Sequence, residues 1–167
     1  LQALLQKEAK MDSRSAKAAA SLAIAECLRF GVTSVSDLYY YPNATAEAVA
    51  ESGIKANLAL SSYRFIDENE DFDFETDEQC RELVKVTEKW NGFGRIKIDA
   101  GIYAEYISNY RLWEGLVGYA AEQNLGMQLH LAETQCEVDS CLERTGMNPG
   151  ELLNCHNVFS RPTTAAG

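Results

Sequence analysis

Long amphipathic segments alternate with short apolar runs along the chain, and most of the amphipathic segments end at a glycine. The first predicted helix covers 11–30, with Asp12 as its N-cap and Gly31 directly after its end. The following run, 32–40, is rich in β-branched and aromatic residues, which is typical of a strand. The opening of the chain therefore predicts a helix that leads into a strand.

The same alternation continues through the rest of the chain. Thr76 with Gln79 predicts the capping box of one later helix, and Ser108 predicts the N-cap of the next. Between two of these elements lies 67–77, where seven of eleven residues are acidic, so we expect a surface excursion. The remaining predicted helices cover 44–52, 76–90, 108–124 and 135–145, with a short one from Pro149, and the remaining predicted strands cover 54–61, 95–103 and 127–131.

Helices of this length between strands indicate parallel pairing, because a parallel return needs a dozen or more residues. The predicted class is α/β. A doubly wound sheet and a piece of a (β/α) barrel both fit this pattern. No G-x-G-x-x-G or Walker-type loop follows a strand, so the sequence does not favour a nucleotide-binding fold.

Composition narrows the class of protein. The 167 residues are 46% hydrophobic and carry a net charge of −10, which leaves no basic surface for nucleic acid or anionic membranes. No apolar run is long enough to span a bilayer. The five cysteines form no disulfide framework and the N-terminus lacks a secretory pattern, so we expect reduced thiols and a cytoplasmic protein.

The candidate chemistry lies at the end of the last predicted strand. His130 ends this strand and Glu133 follows three residues later, at the edge of the sheet where α/β active sites lie. A neutral imidazole there can bind a divalent metal, and a nearby carboxylate can move a proton from water to a leaving group. A single His with a single Glu can equally well serve only local hydrogen bonds.

The residues HLAET, 130–134, resemble the motif at the fifth strand of the metal-dependent amidohydrolase superfamily. The branch concerned holds cytosine, guanine and S-adenosylhomocysteine-type deaminases and triazine chlorohydrolases. LAIAECLRFGVTSVSDLYYY at 22–41, AVAESGIKANLAL at 48–60 and AGIYAEYIS at 100–108 resemble family segments in the same order. The resemblance implies a (β/α)8 barrel enzyme that uses zinc or iron to activate water, and that deaminates or dechlorinates a nitrogen heterocycle.

Carried over residue by residue, the resemblance implies that His130 is a metal ligand and Glu133 the proton shuttle. Tyr103 stands where the family has a substrate-binding histidine. Arg64 follows the family's third strand, where deaminases place substrate-contacting arginines. His156 matches no ligand position.

The other ligands of the family are missing from this stretch of sequence. The first-strand His-x-His pair would lie upstream of Leu1, the eighth-strand Asp downstream of Gly167, and the sixth-strand His at or near Gly167. A whole barrel needs about 250 residues. We therefore expect residues 1–167 to form one partial barrel of about four βα units, a fragment or degenerate copy that binds no metal by itself and is inactive. The alternative is a non-catalytic remnant that acts as a folding or interaction module.

A partial barrel also predicts that the chain associates with copies of itself. The predicted strands carry apolar residues on both faces, and a partial barrel would expose its inner face and two strand edges. We expect a homo-oligomer that covers this surface, either by packing one half-barrel against another or by exchanging the helix predicted at 1–10.

Overall fold

The computed structural model describes residues 10–167 and contains one sheet of five parallel strands in the order β1-β2-β3-β4-β5. The strands are β1 (Ser34–Leu38), β2 (Lys55–Leu60), β3 (Ile96–Ile102), β4 (Met127–His130) and β5 (Thr163–Ala166). Each strand pairs with the next along the chain and a helix lies in every connection, so the sheet curls as half of a barrel. The predicted α/β class and partial barrel are confirmed. The hydrophobic pattern missed β5 because its sequence, TTAA, is short and carries no apolar run.

The helices alternate with the strands along the chain. They are α1 (Ser13–Arg29), α2 (Pro42–Ser52), α3 (Glu78–Trp90), α4 (Tyr110–Glu122), α5 (Gln135–Thr145) and α6 (Pro149–Cys155), with single 3-10 turns at Glu105–Ile107 and Val158–Ser160. No helix among residues 10–167 is long and apolar enough to cross a membrane.

Of the three predicted N-cap residues, Asp12, Thr76 and Ser108, the last two are wrong by one residue. Asp12 caps α1 as expected, since its carboxylate accepts the Ser15 amide proton at 2.7 Å. In α3, however, the cap is Asp77 and not Thr76, because the Asp77 carboxylate accepts two backbone N–H groups of the first turn at 3.0 Å each. A charged acceptor at a helix start is stronger than a neutral hydroxyl.

The cap of α4 is Asn109 and not Ser108, because the Ser108 side chain is used elsewhere. Asn109 Oδ1 accepts the first-turn amide of Leu112 at 3.2 Å. The Ser108 hydroxyl accepts the Trp113 indole N–H at 2.7 Å and donates to the Ala104 carbonyl at 2.7 Å. Tertiary contacts, which the local sequence does not reveal, therefore move the helix start.

The hydrophobic core lies between the outer face of the sheet and the helices. Alternate strand residues such as Leu58, Ile98 and Met127 point to this side and are at most 1% exposed. Helix residues such as Leu83 and Leu116 cover them from outside and are fully buried. This layer holds the strands in place and fixes the directions in which their carboxyl ends point.

Apart from Leu38, the inner face of the sheet carries polar or small residues, which corrects the expectation of apolar residues on both faces. Ser36 donates to Gln128 at 2.8 Å, Gln128 donates to the Asn57 carbonyl at 3.1 Å, and Asn57 donates to Asp99 at 2.6 Å. Asp99 also accepts the Gly126 amide at 2.8 Å. The inner face is therefore a hydrogen-bonded network across four strands. The expectation was wrong because it treated each strand as apolar throughout, whereas polar residues alternate with apolar ones along the strands.

Glycine at position 101 closes the inner face between β1 and β3. A Cβ atom there would lie 2.6 Å from Leu38 Cδ1 and 3.2 Å from the Leu60 carbonyl oxygen. The missing side chain lets Leu38 lie across β3.

The predicted homo-oligomer remains a prediction. In the helix predicted at 1–10, which we expected to exchange between copies, residues 1–9 lie outside the described residues.

Candidate active site

The candidate residues meet at the carboxyl ends of β3 and β4. Tyr103 is the first residue after β3, His130 is the last residue of β4, and Glu133 lies in the short loop before α5. Parallel strands bring these ends to one edge of the sheet. The structure therefore brings together three of the four residues predicted from the sequence, and it places Arg64 in the loop after β2.

The imidazole of His130 is held by the backbone of the neighbouring strand. Its Nδ1 lies 2.8 Å from the Tyr103 carbonyl oxygen. A carbonyl can only accept, so Nδ1 carries a proton, and in the neutral imidazole the lone pair is on Nε2. This is the tautomer that a metal-binding histidine needs, with its other nitrogen fixed by a carbonyl.

Aromatic rings line the edge of the sheet beside His130. The Tyr103 ring meets the imidazole edge to face, at 5.5 Å and 80° between planes. Tyr40 is parallel to Tyr103 at 5.6 Å, and Tyr63 meets Tyr40 edge to face at 4.6 Å. The rings form a wall that runs from the end of β4 across to the loops after β1 and β2.

Glu133 is exposed and follows a residue with an uncommon backbone conformation. Ala132, directly before it, has φ of 54°, a left-handed conformation that is uncommon for a residue with a side chain. The Glu133 amide donates to Glu137 Oε2 at 3.0 Å. The pKa of Tyr106 is raised, first by burial and then by the negative charges of Glu137 and Glu133.

A buried ion pair joins the loop after β3 to α5. Glu105 has a side chain with no exposed surface, and its Oε1 lies 2.6 Å from Arg144 Nη2. Its Oε2 is buried with no hydrogen-bond partner among residues 10–167. Because Tyr103 and Glu105 belong to the same loop, this loop contacts both His130 and the helix that follows Glu133.

Arg64 makes its ion pairs within the acidic excursion. Its guanidinium lies 2.6 Å from Glu70 and 3.4 Å from Asp77, and it stacks over Phe72 with 5.6 Å from Cζ to the ring centroid. Asn109 adds hydrogen bonds to the Asp67 and Glu70 carbonyl oxygens at 2.9 and 3.1 Å. The excursion therefore has ordered contacts with the rest of the fold, and a substrate contact by Arg64 stays a prediction.

A cavity of about 450 Å³ lies between β1 and the α1 and α2 helices. Its lining is mostly alanine and other apolar side chains, with Asp37 among them. Burial raises the pKa of Asp37. His130 and Glu133 do not line this cavity, although Tyr40 of the aromatic wall does.

The residues present fit one position of a metal site but do not complete one. With Nδ1 bonded to a carbonyl, Nε2 of His130 suits a divalent metal, yet residues 10–167 contain no cluster of three or more His, Cys, Asp or Glu side chains that could hold an ion. Catalytic zinc uses three protein ligands. His156, the other histidine, lies 3.1 Å from Glu114 and stacks on Tyr110, away from this edge.

The sequence reasoning missed the residues that support the candidate site. Glu137 had a local signal, since Thr134 followed three residues later by Glu is the pattern of a capping box. Glu105 and Arg144 are 39 residues apart and had none.

Comparison with known proteins places this geometry in a family. Residues 1–164 match the amidohydrolase family. The chain is 36% identical over 161 residues to the 5'-deoxyadenosine deaminase of Methanobrevibacter smithii, covering 95% of this chain and 36% of that protein. It is 32% identical over 148 residues to the 5-methylthioadenosine/S-adenosylhomocysteine deaminase of Caldicellulosiruptor saccharolyticus, covering 87% of this chain and 32% of that protein. The chain therefore spans about a third of the length of these curated relatives.

Solved structures show the same fold. An adenosine deaminase from Xanthomonas campestris with bound zinc superposes with a TM-score of 0.80 at 22% identity, covering 93% of this chain and 35% of that one. The atrazine chlorohydrolase of Arthrobacter aurescens, complexed with zinc, gives 0.79 at 19% identity, covering 97% and 39%. The predicted resemblance is confirmed, and the chain belongs to the amidohydrolase family.

Proposed function

We propose that this chain is part of a metal-dependent hydrolase that removes the amino group of a nitrogen heterocycle as ammonia. The observation that carries the proposal is the His130 imidazole, whose Nδ1 is fixed by the Tyr103 carbonyl at the carboxyl edge of the sheet. When bound, a divalent metal at that edge supplies Lewis-acid activation of water.

The chain's own residues have separate roles in this reaction. Nε2 of His130 would hold the metal as one of its ligands. The carboxylate of Glu133 accepts a proton from the attacking water and passes it to the leaving nitrogen. A C–O bond forms, the C–N bond breaks, and the nitrogen leaves as ammonia.

The proposed substrate class is an adenosine-type nucleoside. This follows the substrates in the names of the two curated deaminases, which are 36% and 32% identical to the chain over the aligned residues. Tyr103 and Arg64 are the proposed substrate contacts, with the Tyr103 ring in the aromatic wall beside the imidazole. Cleavage of a C–Cl bond in a similar heterocycle is the related reaction, as named for the chlorohydrolase.

We further propose that residues 1–167 by themselves do not turn over substrate. His130 is their one matched ligand, and a single imidazole holds a divalent metal too weakly for a catalytic site. A non-catalytic remnant is the second candidate, and Tyr103 favours it, because the phenol stands where the family resemblance implies a histidine.

A chimera separates the two candidates. The stretch of the Methanobrevibacter smithii 5'-deoxyadenosine deaminase that aligns with this chain is replaced by this chain, and ammonia release from 5'-deoxyadenosine is measured. Glu133→Gln and His130→Ala test the two roles. Glu143→Gln, an exposed carboxylate on α5, is the matched control.

We expect the chimera to release ammonia, Glu133→Gln and His130→Ala to abolish the release, and the control to retain it. A chimera that folds, carries zinc and gives no ammonia contradicts the proposed function. Activity gained only with Tyr103→His identifies the chain as a degenerate copy.

A further inference from the structure

We propose that Glu137 is a positioning residue that holds the backbone of Glu133 and so directs the Glu133 carboxylate toward the substrate. This inference rests on the proposed function for the meaning of Glu133. The contact itself belongs to the fold and can be measured without turnover.

The contact is a charged acceptor on a single amide. Glu137 is 7% exposed, and its Oε2 accepts the Glu133 N–H at 3.0 Å. The Thr134 hydroxyl accepts the Glu137 amide at 3.2 Å, so the turn from 133 to 137 is closed from both sides. A carboxylate that accepts an amide proton in a buried place makes one of the stronger hydrogen bonds in proteins.

Helix capping alone does not explain this contact, as α6 shows. There Glu151 also lies at the third helical position, and its Oε2 accepts the amide of Asn148, the cap residue itself, at 3.0 Å. In α5 the cap residue is Thr134, yet Glu137 bonds to the amide one residue earlier, at Glu133. The carboxylate therefore fixes the residue proposed to carry the proton and not the helix cap.

The backbone conformation of Ala132, directly before Glu133, explains why the hydrogen bond to Glu137 is needed. Ala132 has φ of 54°, which costs about 1 kcal/mol or more for a residue with a Cβ. Without the bond to Glu137, the turn at 132–133 is free to relax toward ordinary backbone angles. The Glu133 side chain would then leave the direction that the left-handed residue gives it.

The second carboxylate oxygen of Glu137 supports a role beyond capping. Oε1 is buried and has no hydrogen-bond partner within residues 10–167. A buried polar atom without a partner is costly, and such costs concentrate at functional sites. A solvent-facing capping glutamate would avoid this cost, as the exposed Glu151 does.

The first experiment measures amide hydrogen exchange in the 167-residue chain by NMR. Glu137→Ala removes the acceptor, Glu137→Gln keeps a neutral one, and Glu151→Ala is the matched capping control. We expect Glu137→Ala to speed exchange at the Glu133 amide about tenfold or more, and Glu137→Gln to keep much of the protection. In Glu151→Ala we expect faster exchange at Asn148 and no change at Glu133. Unchanged protection of Glu133 in Glu137→Ala overturns the proposal.

The second experiment uses the deaminase chimera described above. We expect Glu137→Ala to lower kcat about tenfold or more with KM unchanged, Glu137→Gln to recover most of it, and Glu151→Ala to leave both constants alone. Equal losses in Glu137→Ala and Glu151→Ala identify Glu137 as a structural cap and overturn the positioning role. If the unsubstituted chimera is inactive, the proposed function fails, while the exchange result still decides whether Glu137 holds Glu133.

Discussion

Replacing Arg144 by methionine tests the buried ion pair that joins the loop after β3 to α5. Methionine keeps the length and apolar stem of the side chain but removes the guanidinium. The Glu105 carboxylate then stays in place with no exposed surface. Its Oε1 loses the Arg144 Nη2 partner at 2.6 Å, and its Oε2 already has no partner among residues 10–167.

The expected loss follows from burial. Removing one partner of a buried pair costs about 3–5 kcal/mol of unfolding free energy, because the remaining charge is left unpaired. The Arg144 side chain is 35% exposed, so water already weakens the pair from its side. We therefore expect the low end, about 3 kcal/mol, which lowers the urea midpoint by about 1.5 M at a slope of about 2 kcal/mol per M.

Urea unfolding followed by circular dichroism measures this loss. The matched control is Arg111→Met, which breaks the Arg111–Asp71 pair, whose side chains are 45% and 91% exposed. The control substitution should lower the free energy of unfolding by less than about 0.5 kcal/mol. The double variant Arg144→Met with Glu105→Gln should recover most of the loss, since the buried charge is gone. Equal losses for Arg144→Met and Arg111→Met would refute the reasoning, as would a double variant no more stable than Arg144→Met alone.

Four further predictions follow from the same structure. Burial raises the pKa of Asp37, so the stability that its protonated form contributes is present at low pH and is lost as the pH rises through the raised pKa. Asp37→Asn should therefore raise the melting temperature at pH 7 and flatten the dependence of that temperature on pH. Thermal unfolding across pH 4–8 measures both effects. Gly101→Ala should cost about 1–3 kcal/mol in urea unfolding, because the new Cβ lies 2.6 Å from Leu38 Cδ1, and pairing it with Leu38→Ala should return part of the loss. With His130 as the one matched ligand, the purified 167-residue chain should hold well under one zinc per molecule, and stoichiometric zinc after chelator treatment would contradict this. Light scattering at micromolar concentration should give a mass above the 18.5 kDa of one chain, whereas a clean monomer would rule out the predicted homo-oligomer.

The features that the sequence alone determined depend mostly on contacts within a single helix or strand. The helix over Gln135–Thr145 and the strand at Met127–His130 agree with the pattern of apolar residues within one residue, because periodic burial and a glycine or polar cap act within a single element. The α/β class followed from the lengths between strands, and His130 and Glu133 followed from a five-residue motif that one strand end carries intact.

Contacts between distant segments decided the rest. The polar inner face depends on which side of each strand faces the helices, and that is settled only when Ser36, Asn57 and Gln128 from three strands meet. The tautomer of His130 is set by a carbonyl 27 residues away. The buried partner of Glu105 comes from a helix 39 residues later. Local pattern cannot encode these pairings, because each partner's sequence surroundings are ordinary and only the packing of parallel strands and their helices brings the two together.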